Sequence, residues 1–182
     1  MKKLILVGGT MGVGKSSVCR ALHQRLTPSV WLDGDWCWNL NPFEVTEETK
    51  AMAMDNIAHL LGSFLRCSQT EYVIFSWVMH QQEIIDELLS RLTGTAFTLY
   101  SYSLVCSEEI LIQRLEKDIR RGRRHPDVLE RSRKRLPLYQ SLDTWKLDVG
   151  RRTPEEAAEK IKTDIQKPFK INVVSEGCPD FT

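Results

Sequence analysis

No stretch of the sequence approaches the roughly 20 consecutive apolar residues that a membrane-spanning helix needs, so a helical membrane protein is not expected. Charge of one sign is also missing: 25 Lys and Arg stand against 24 Asp and Glu, a formal net charge of +1. No global field therefore draws the chain to nucleic acid or to an anionic membrane, and any anion it binds must be held by a local site. The five cysteines, Cys19, Cys37, Cys67, Cys106 and Cys178, contain no Cys-x-x-Cys pair. That spacing argues against a structural zinc site and against the disulfide framework of a secreted domain. The apolar run Leu4 to Val7 after Met1-Lys2-Lys3 ends in glycines and is too short for a signal peptide. A reducing, cytoplasmic setting is expected. There is no internal repeat and no low-complexity tract.

What is present is a regular alternation of two hydrophobic periods. The 182 residues have the length of one domain, 1–182, able to bury roughly 70% of the surface its unfolded chain exposes. Leu4 to Val7 reads as a strand buried on both faces. From Lys15 to Leu26, the apolar residues Val18, Cys19, Leu22 and Leu26 recur at helical spacing until Pro28. Val30 to Leu32 predicts a second strand ending at Asp33-Gly34-Asp35. Thr46 caps a helix with the stripe Ile57, Leu60, Leu61, Phe64 and Leu65. Tyr72 to Phe75 is a third strand, followed by a helical stripe from Ile84 to Leu92 that Gly94 closes. Phe97 to Leu104 is a fourth strand, Ile110, Leu111 and Leu115 open a further helix, and Leu147 to Val149 is a brief fifth strand. Thr153-Pro154-Glu155-Glu156 starts a last helix that runs to about Gln166. In the tail, about 167–182, Lys170 to Val174 reads either as an added edge strand or as frayed chain. Strand and helix in alternation imply an α/β fold with a parallel, doubly wound sheet, whose ligands gather outside the carboxyl ends of the strands.

At the first such end stands Gly9-Thr10-Met11-Gly12-Val13-Gly14-Lys15-Ser16, which fits the pattern G-x-x-x-x-G-K-S/T without a mismatch, between a strand and a helix as that motif requires. Glycines let successive backbone N–H groups turn inward on phosphate oxygens, and the following helix adds the positive end of its dipole. The segment from Gly9 through Met11, Gly12, Val13 and Gly14 to Ser17 is the expected ATP site. Lys15 reaches the β- and γ-phosphates and Ser16 ligates Mg²⁺. A glycine-rich turn that merely spells the motif is the bland alternative, and the flanking elements weigh against it.

Asp33 and Asp35 are two apart at a strand end and can face the same side of the sheet. One carboxylate can accept a proton from an attacking hydroxyl while the other helps hold magnesium, which is the division of labour that phosphoryl transfer needs. A polar Asp-Gly-Asp turn without chemistry is the alternative. Trp31, Trp36, Trp38 and Phe43 flank the pair and suit either an acceptor pocket or core packing.

The phosphate loop, the stretch Leu32-Asp33-Gly34-Asp35-Trp36 and Phe75-Ser76 at the end of the third strand together resemble the gluconate kinase and shikimate kinase group, with chloramphenicol phosphotransferase as a relative. The resemblance runs over nearly the whole chain in element order, and the phosphate loop is its most specific part. It implies a P-loop kinase three-layer sandwich, with a five-stranded parallel sheet in the order 2-3-1-4-5, helices on both faces and a mobile lid. It further implies Asp35 as general base and Asp33 near the metal; Asp33, Asp35 and Trp36 are the expected acceptor-binding residues. Two departures stand out. The acidic Asn-Asp-Asp-Asp-Arg segment of gluconate kinases is replaced by Asn41 to Glu48, which weighs against gluconate as acceptor. No aspartate closes the third strand; Ser76 stands there, so metal ligation rests on Ser16, the phosphates and Asp33.

Arg114, Arg120, Arg121, Arg123 and Arg124 crowd one helix end, followed by His125-Pro126 and then Arg131, Arg133, Lys134 and Arg135. Most of them can be a solvated basic face. By the resemblance, this is a lid at about 118–132 whose arginines neutralise charge on the transferring phosphoryl group. Arg120 and Arg123 are the selected pair, because Gly122 between them supplies a hinge and Arg-x-Gly-Arg is similar to the adenylate kinase lid; Arg124 is the next candidate. The leading expectation is an ATP- and Mg²⁺-dependent transfer of phosphate to a small-molecule hydroxyl acceptor, by a monomer or homodimer with no membrane or nucleic-acid partner. A nucleoside or nucleotide kinase is a second reading. A nucleotide-dependent regulator or nucleic-acid-end-processing protein, docking a larger partner through the basic lid, is a third.

Overall fold

The computed structural model describes residues 1–167. Leu4, Ile5, Leu6 and Val7 have no accessible surface, because their strand, β1 (Lys2–Gly8), lies at the centre of the sheet. Around it are β2 (Ser29–Asp33), β3 (Tyr72–Ser76), β4 (Phe97–Val105) and β5 (Trp145–Asp148). All neighbours pair in parallel. The strand order is β2-β3-β1-β4-β5, as the sequence resemblance implies.

The crossovers are made by α1 (Lys15–His23), α2 (Glu47–Arg66), α3 (Gln82–Ser90) and the pair α4 (Glu108–Arg120) and α5 (Val128–Arg135), and α6 (Pro154–Gln166) follows β5. They bury two apolar layers, one on each face of the sheet. On one face, Ile5 and Val7 pack with Val18 and Leu22 of α1 and Ile161 and Ile165 of α6. On the other, Leu4 and Leu6 pack with Ile57 and Leu61 of α2 and Ile85 and Leu88 of α3. Each such side chain contributes about 1.5–3 kcal/mol by leaving water. Among the described residues no helix is long and apolar enough to cross a membrane.

Local capping agrees with the chain's own signals. Thr46 and Thr49 form a reciprocal capping box at the start of α2, and Thr153 and Glu156 form one at the start of α6. Helix α1 stops at His23, before the expected limit at Leu26. Leu26 nevertheless stays 3% exposed, because its N–H still bonds the Leu22 carbonyl at 3.0 Å and keeps it in the core. The segment taken for a lid is the end of α4, a connection, and α5, followed by a 3₁₀ turn at Leu136–Gln140. The possible edge strand at Lys170 to Val174 lies outside the described residues.

The register sets the site. Val7 pairs with Ser76, Gly8 with Ser103 and Asp33 with Ser76, so the ends of four strands meet beside the loop that leaves β1. Carboxyl ends of parallel strands, where a crossover turns away, form the crevice that holds ligands in this architecture.

Candidate active site

Between β1 and α1 the backbone turns through Gly9 to Gly14, and Gly14 caps the helix in a left-handed conformation. Gly12 is the position that most requires glycine. Its φ is +81°, and a Cβ there would lie 2.4 Å from Cδ2 of Leu115 in α4. Any larger residue would push the loop off α4 as well as strain it. Lys15 Nζ curls back to donate to the carbonyls of Gly9 at 2.8 Å and Thr10 at 3.1 Å. The ammonium thus closes a ring of main-chain groups shaped for an anion. Lys15 keeps part of its residue surface, but Nζ is turned into the loop. That loss of water pulls its pKa down to about 8, with Arg124 adding to the fall and Asp35 and Asp33 opposing it.

Thr10 is fully buried and its hydroxyl donates to the carbonyl of Ser132 at 3.1 Å. This bond ties the phosphate loop to α5, 122 residues further along the chain. Arg114 of α4 donates to the carbonyls of Val13 at 2.9 Å and Val149 at 2.7 Å. It clamps the loop against the turn after β5 and holds three segments in one frame.

Across the loop, Ser16 Oγ donates to Asp33 Oδ2 at 2.9 Å. Asp33 is 7% exposed, and its Oδ1 accepts the Asp35 N–H at 3.2 Å. This Asx cap starts the short 3₁₀ turn Gly34–Trp38 and aims Asp35 outward. Asp35 opens onto the cleft and keeps solvent contact. Loss of water at the cleft wall and the neighbouring Asp33 charge hold its carboxyl above the usual range, against the pull of Lys15, Arg124 and a hydrogen bond from Trp77. Gly34 is a second position where a side chain has no room, since a Cβ would meet Cγ of Trp77 at 2.5 Å. Ser76, where a Walker-type acid would stand, is buried and accepts the Trp31 indole N–H at 3.1 Å.

Lys15, Ser16, Asp33, Asp35 and Arg114 line a cleft of about 430 Å³. The structure brings together in it the expected Met11, Gly12, Val13, Gly14, Lys15, Ser16, Ser17, Asp33 and Asp35. Gly9 and Thr10 stand behind the wall and act through the bonds to Lys15 and Ser132. Trp36 is 61% exposed and leans on Trp31, with ring centroids 5.3 Å apart. Arg120 and Arg123 do not line the cleft. The first is beside Glu116 at 3.8 Å and the second beside Asp118 at 4.0 Å, both with largely exposed side chains.

The arginines that do line it are Arg114, Arg121, Arg124 and Arg152. Arg124 is held by Asp118, Nε to Oδ2, at 3.3 Å, and its charge is felt at both Lys15 and Asp35. Arg114 and Trp77 were not singled out as site residues from sequence. Arg114 is one polar position on an amphipathic helix, and Trp77 follows its strand by a single residue. Neither carries a local signal beyond its position.

Asp33 and Ser16 present two adjacent oxygens, a donor set that suits a hard cation completed by phosphate and water. Among the described residues no cluster of three or more His, Cys, Asp or Glu side chains forms a self-sufficient metal site.

No curated protein matches the chain in sequence. Solved structures do match in fold. A gluconokinase from Sinorhizobium meliloti 1021 aligns over 90% of this chain and 95% of its own, with 22% identity and a TM-score of 0.63. The tunicamycin resistance protein of Deinococcus radiodurans aligns over 97% and 100%, with 15% identity and a TM-score of 0.68. Shikimate kinase from Aquifex aeolicus aligns over 90% and 96%, with 17% identity and a TM-score of 0.60. At these identities the likeness establishes a shared P-loop kinase fold. The family model described as "AAA domain" matches residues 5–135, a span that takes in the phosphate loop, the Asp33/Asp35 turn, Arg124 and α5, and the chain belongs to that P-loop family.

Proposed function

We propose that the protein is a phosphotransferase that moves the γ-phosphate of ATP onto a hydroxyl of a small molecule. The observation that carries this reading is the convergence of Lys15, Ser16, Asp33, Asp35 and Arg124 on one cleft. An anion-binding loop alone accounts for nucleotide binding. A solvent-accessible carboxylate facing that loop supplies what a second substrate needs.

In this mechanism the loop amides and Lys15 grip the triphosphate. Asp33 and Ser16 would hold Mg²⁺, which when bound neutralises charge on the phosphates. The acceptor oxygen attacks the γ-phosphorus in line with the bridging oxygen. A new P–O bond forms as the β–γ bridge breaks, the hydroxyl proton passes to an Asp35 oxygen, and ADP leaves with the bridge electrons. Arg124, with Arg121 beside the cleft, stabilises the equatorial oxygens of the group in flight. Arg114 contributes by fixing the loop, through Val13, against the turn after β5.

The test is transfer of labelled γ-phosphate from ATP into a panel of hydroxyl compounds. Asp35→Asn keeps the side chain's shape and removes its basicity, so transfer should drop about 10²–10⁴-fold while ATP still binds. Transfer at the wild-type rate by this variant would remove Asp35 as the base.

A further inference from the structure

Three acids line the cleft: Asp33, Asp35 and Asp118. The mechanism uses Asp33 beside Ser16, and Asp35 as base. Asp118 is the third, and on the wall of a triphosphate site a carboxylate repels the ligand. Its neighbours account for its placement.

Asp118 lies in the last turn of α4, and the chain reverses directly after it. Gly122 takes a φ of +66°, its N–H donates to the Ile119 carbonyl at 2.9 Å, and the Arg123 N–H donates to the Asp118 carbonyl at 2.9 Å. These two bonds around a left-handed glycine are the Schellman ending of a helix. The turn returns residues 123 and 124 over the Asp118 side chain. Arg124 Nε bonds Asp118 Oδ2 at 3.3 Å, while Arg123 Nη1 stands 4.0 Å from Oδ1. The two arginines differ in where they point. The Arg123 side chain is 64% exposed and the Arg124 side chain 37%, and of the two only Arg124 lines the cleft. Its charge bears on both Lys15 and Asp35. With Nε on the carboxylate, the Nη groups of Arg124 remain free to donate elsewhere. A long, unheld arginine loses rotamer entropy when it is ordered on a phosphoryl group, and a carboxylate that holds Nε beforehand reduces that loss.

We infer that Asp118 is a positioning residue for phosphoryl transfer: by holding Nε, it turns the Nη edge of Arg124 toward the phosphoryl group in flight. This deepens the phosphotransferase reading and rests on it. Opposite effects on ground state and transition state follow. Removing the carboxylate takes a like charge away from bound ATP, and it takes orientation away from the arginine that the transition state needs. An ion pair this open to water adds little to stability, so the consequence falls on rate.

The full chain is compared with Asp118→Asn, Asp118→Ala, Arg124→Ala and the double variant Asp118→Ala/Arg124→Ala, all with Mg²⁺. Calorimetric titration with a non-hydrolysable ATP analogue reads the ground state, and titration with ADP plus aluminium fluoride reads the transition state. Asp118→Ala should bind the ATP analogue as tightly as wild type or up to about fivefold more tightly. It should bind ADP with aluminium fluoride about 10–100-fold more weakly. Transfer of labelled γ-phosphate to gluconate, shikimate, adenosine or water, whichever is fastest, should fall in kcat by a similar factor. Asp118→Asn keeps an acceptor oxygen and should lie between Asp118→Ala and wild type. In the Arg124→Ala background, loss of Asp118 should change either readout by no more than about twofold. The binding readout or the kinetic one decides alone. Wild-type values in Asp118→Ala overturn the inference and leave phosphotransfer standing. So do equal losses of both ligands with a lowered Tm, which would assign Asp118 to the stability of the helix end, and so do additive losses in the double variant. Wild type that binds ADP with aluminium fluoride no more tightly than ADP alone, and transfers phosphate to none of the four, overturns phosphotransfer and the inference together.

Discussion

The lysine of the phosphate loop yields a test of the site that does not depend on knowing the acceptor. Its ammonium has pKa about 8, lowered first by loss of water. A triphosphate would bring several negative charges onto Nζ, and the bound lysine should return at least to the ordinary value of about 10.4. ATP therefore selects the protonated form, and affinity should fall as pH rises through 8. With that pKa, Lys15 is about 90% protonated at pH 7 and about 10% at pH 9. Affinity should accordingly drop about tenfold, or about 1.4 kcal/mol, over this interval. Binding at pH 9 should take up about 0.9 proton and binding at pH 7 about 0.1, by the same linkage. Isothermal titration with a non-hydrolysable ATP analogue, in two buffers of different ionisation enthalpy, reads both quantities. Lys15→Arg keeps the charge at every pH and should flatten the dependence. Equal affinity at pH 7 and pH 9, or an undiminished slope in Lys15→Arg, would refute the coupling. For folding the sign is opposite: between the lowered folded value and about 10.4 the unfolded chain binds the extra proton, so this group favours folding more as pH rises there.

Two further outcomes follow from the geometry. Arg124→Ala should cut phosphate transfer about 10³-fold or more, since its charge reaches Lys15 and Asp35, whereas Arg120→Ala should stay near wild type; the reverse ranking in steady-state kinetics would return the role to the sequence-selected arginine. Thr10→Val preserves shape but removes the buried bond to the Ser132 carbonyl. It should cost about 1 kcal/mol, seen as a Tm lower by about 2–4 °C in thermal denaturation. An unchanged Tm would mean that the tie between the phosphate loop and α5 carries no stability.

How much of this was legible beforehand depended on how locally each feature is encoded. The phosphate loop is a contiguous sentence: Gly12, Gly14, Lys15 and Ser16 follow one another closely in the chain, and Lys15 meets its partners, the carbonyls of Gly9 and Thr10, within the loop itself. The capping boxes at Thr46 and Thr153 and the apolar run of β1 are local in the same sense. The Asp33/Asp35 pair was readable because both acids stand at a strand end, although Asp35 reaches the cleft through the 3₁₀ turn that Asp33 caps and not through strand alternation. The sheet order, by contrast, came from resemblance, since periodicity identifies strands but not their neighbours.

The arginines mark the limit of local reading. Five of them, Arg114, Arg120, Arg121, Arg123 and Arg124, crowd one stretch of sequence, and a hinge glycine pointed to Arg120 and Arg123. Which ones reach the cleft is set by the rotation of α4 on the sheet and the path of the chain beyond Gly122. Both depend on packing of Leu111 and Leu115 against Val128, a contact between segments that the residues near each arginine do not encode. Trp77 is similar: its place beside Asp35 requires β2 and β3 to be neighbours and Gly34 to leave space. The sequence by itself determined the strand-turn-helix that grips phosphate, because short-range backbone geometry and side-chain chemistry suffice there. Only the tertiary structure decided which cations and rings face the reacting group, because those positions follow from how distant helices and strands pack.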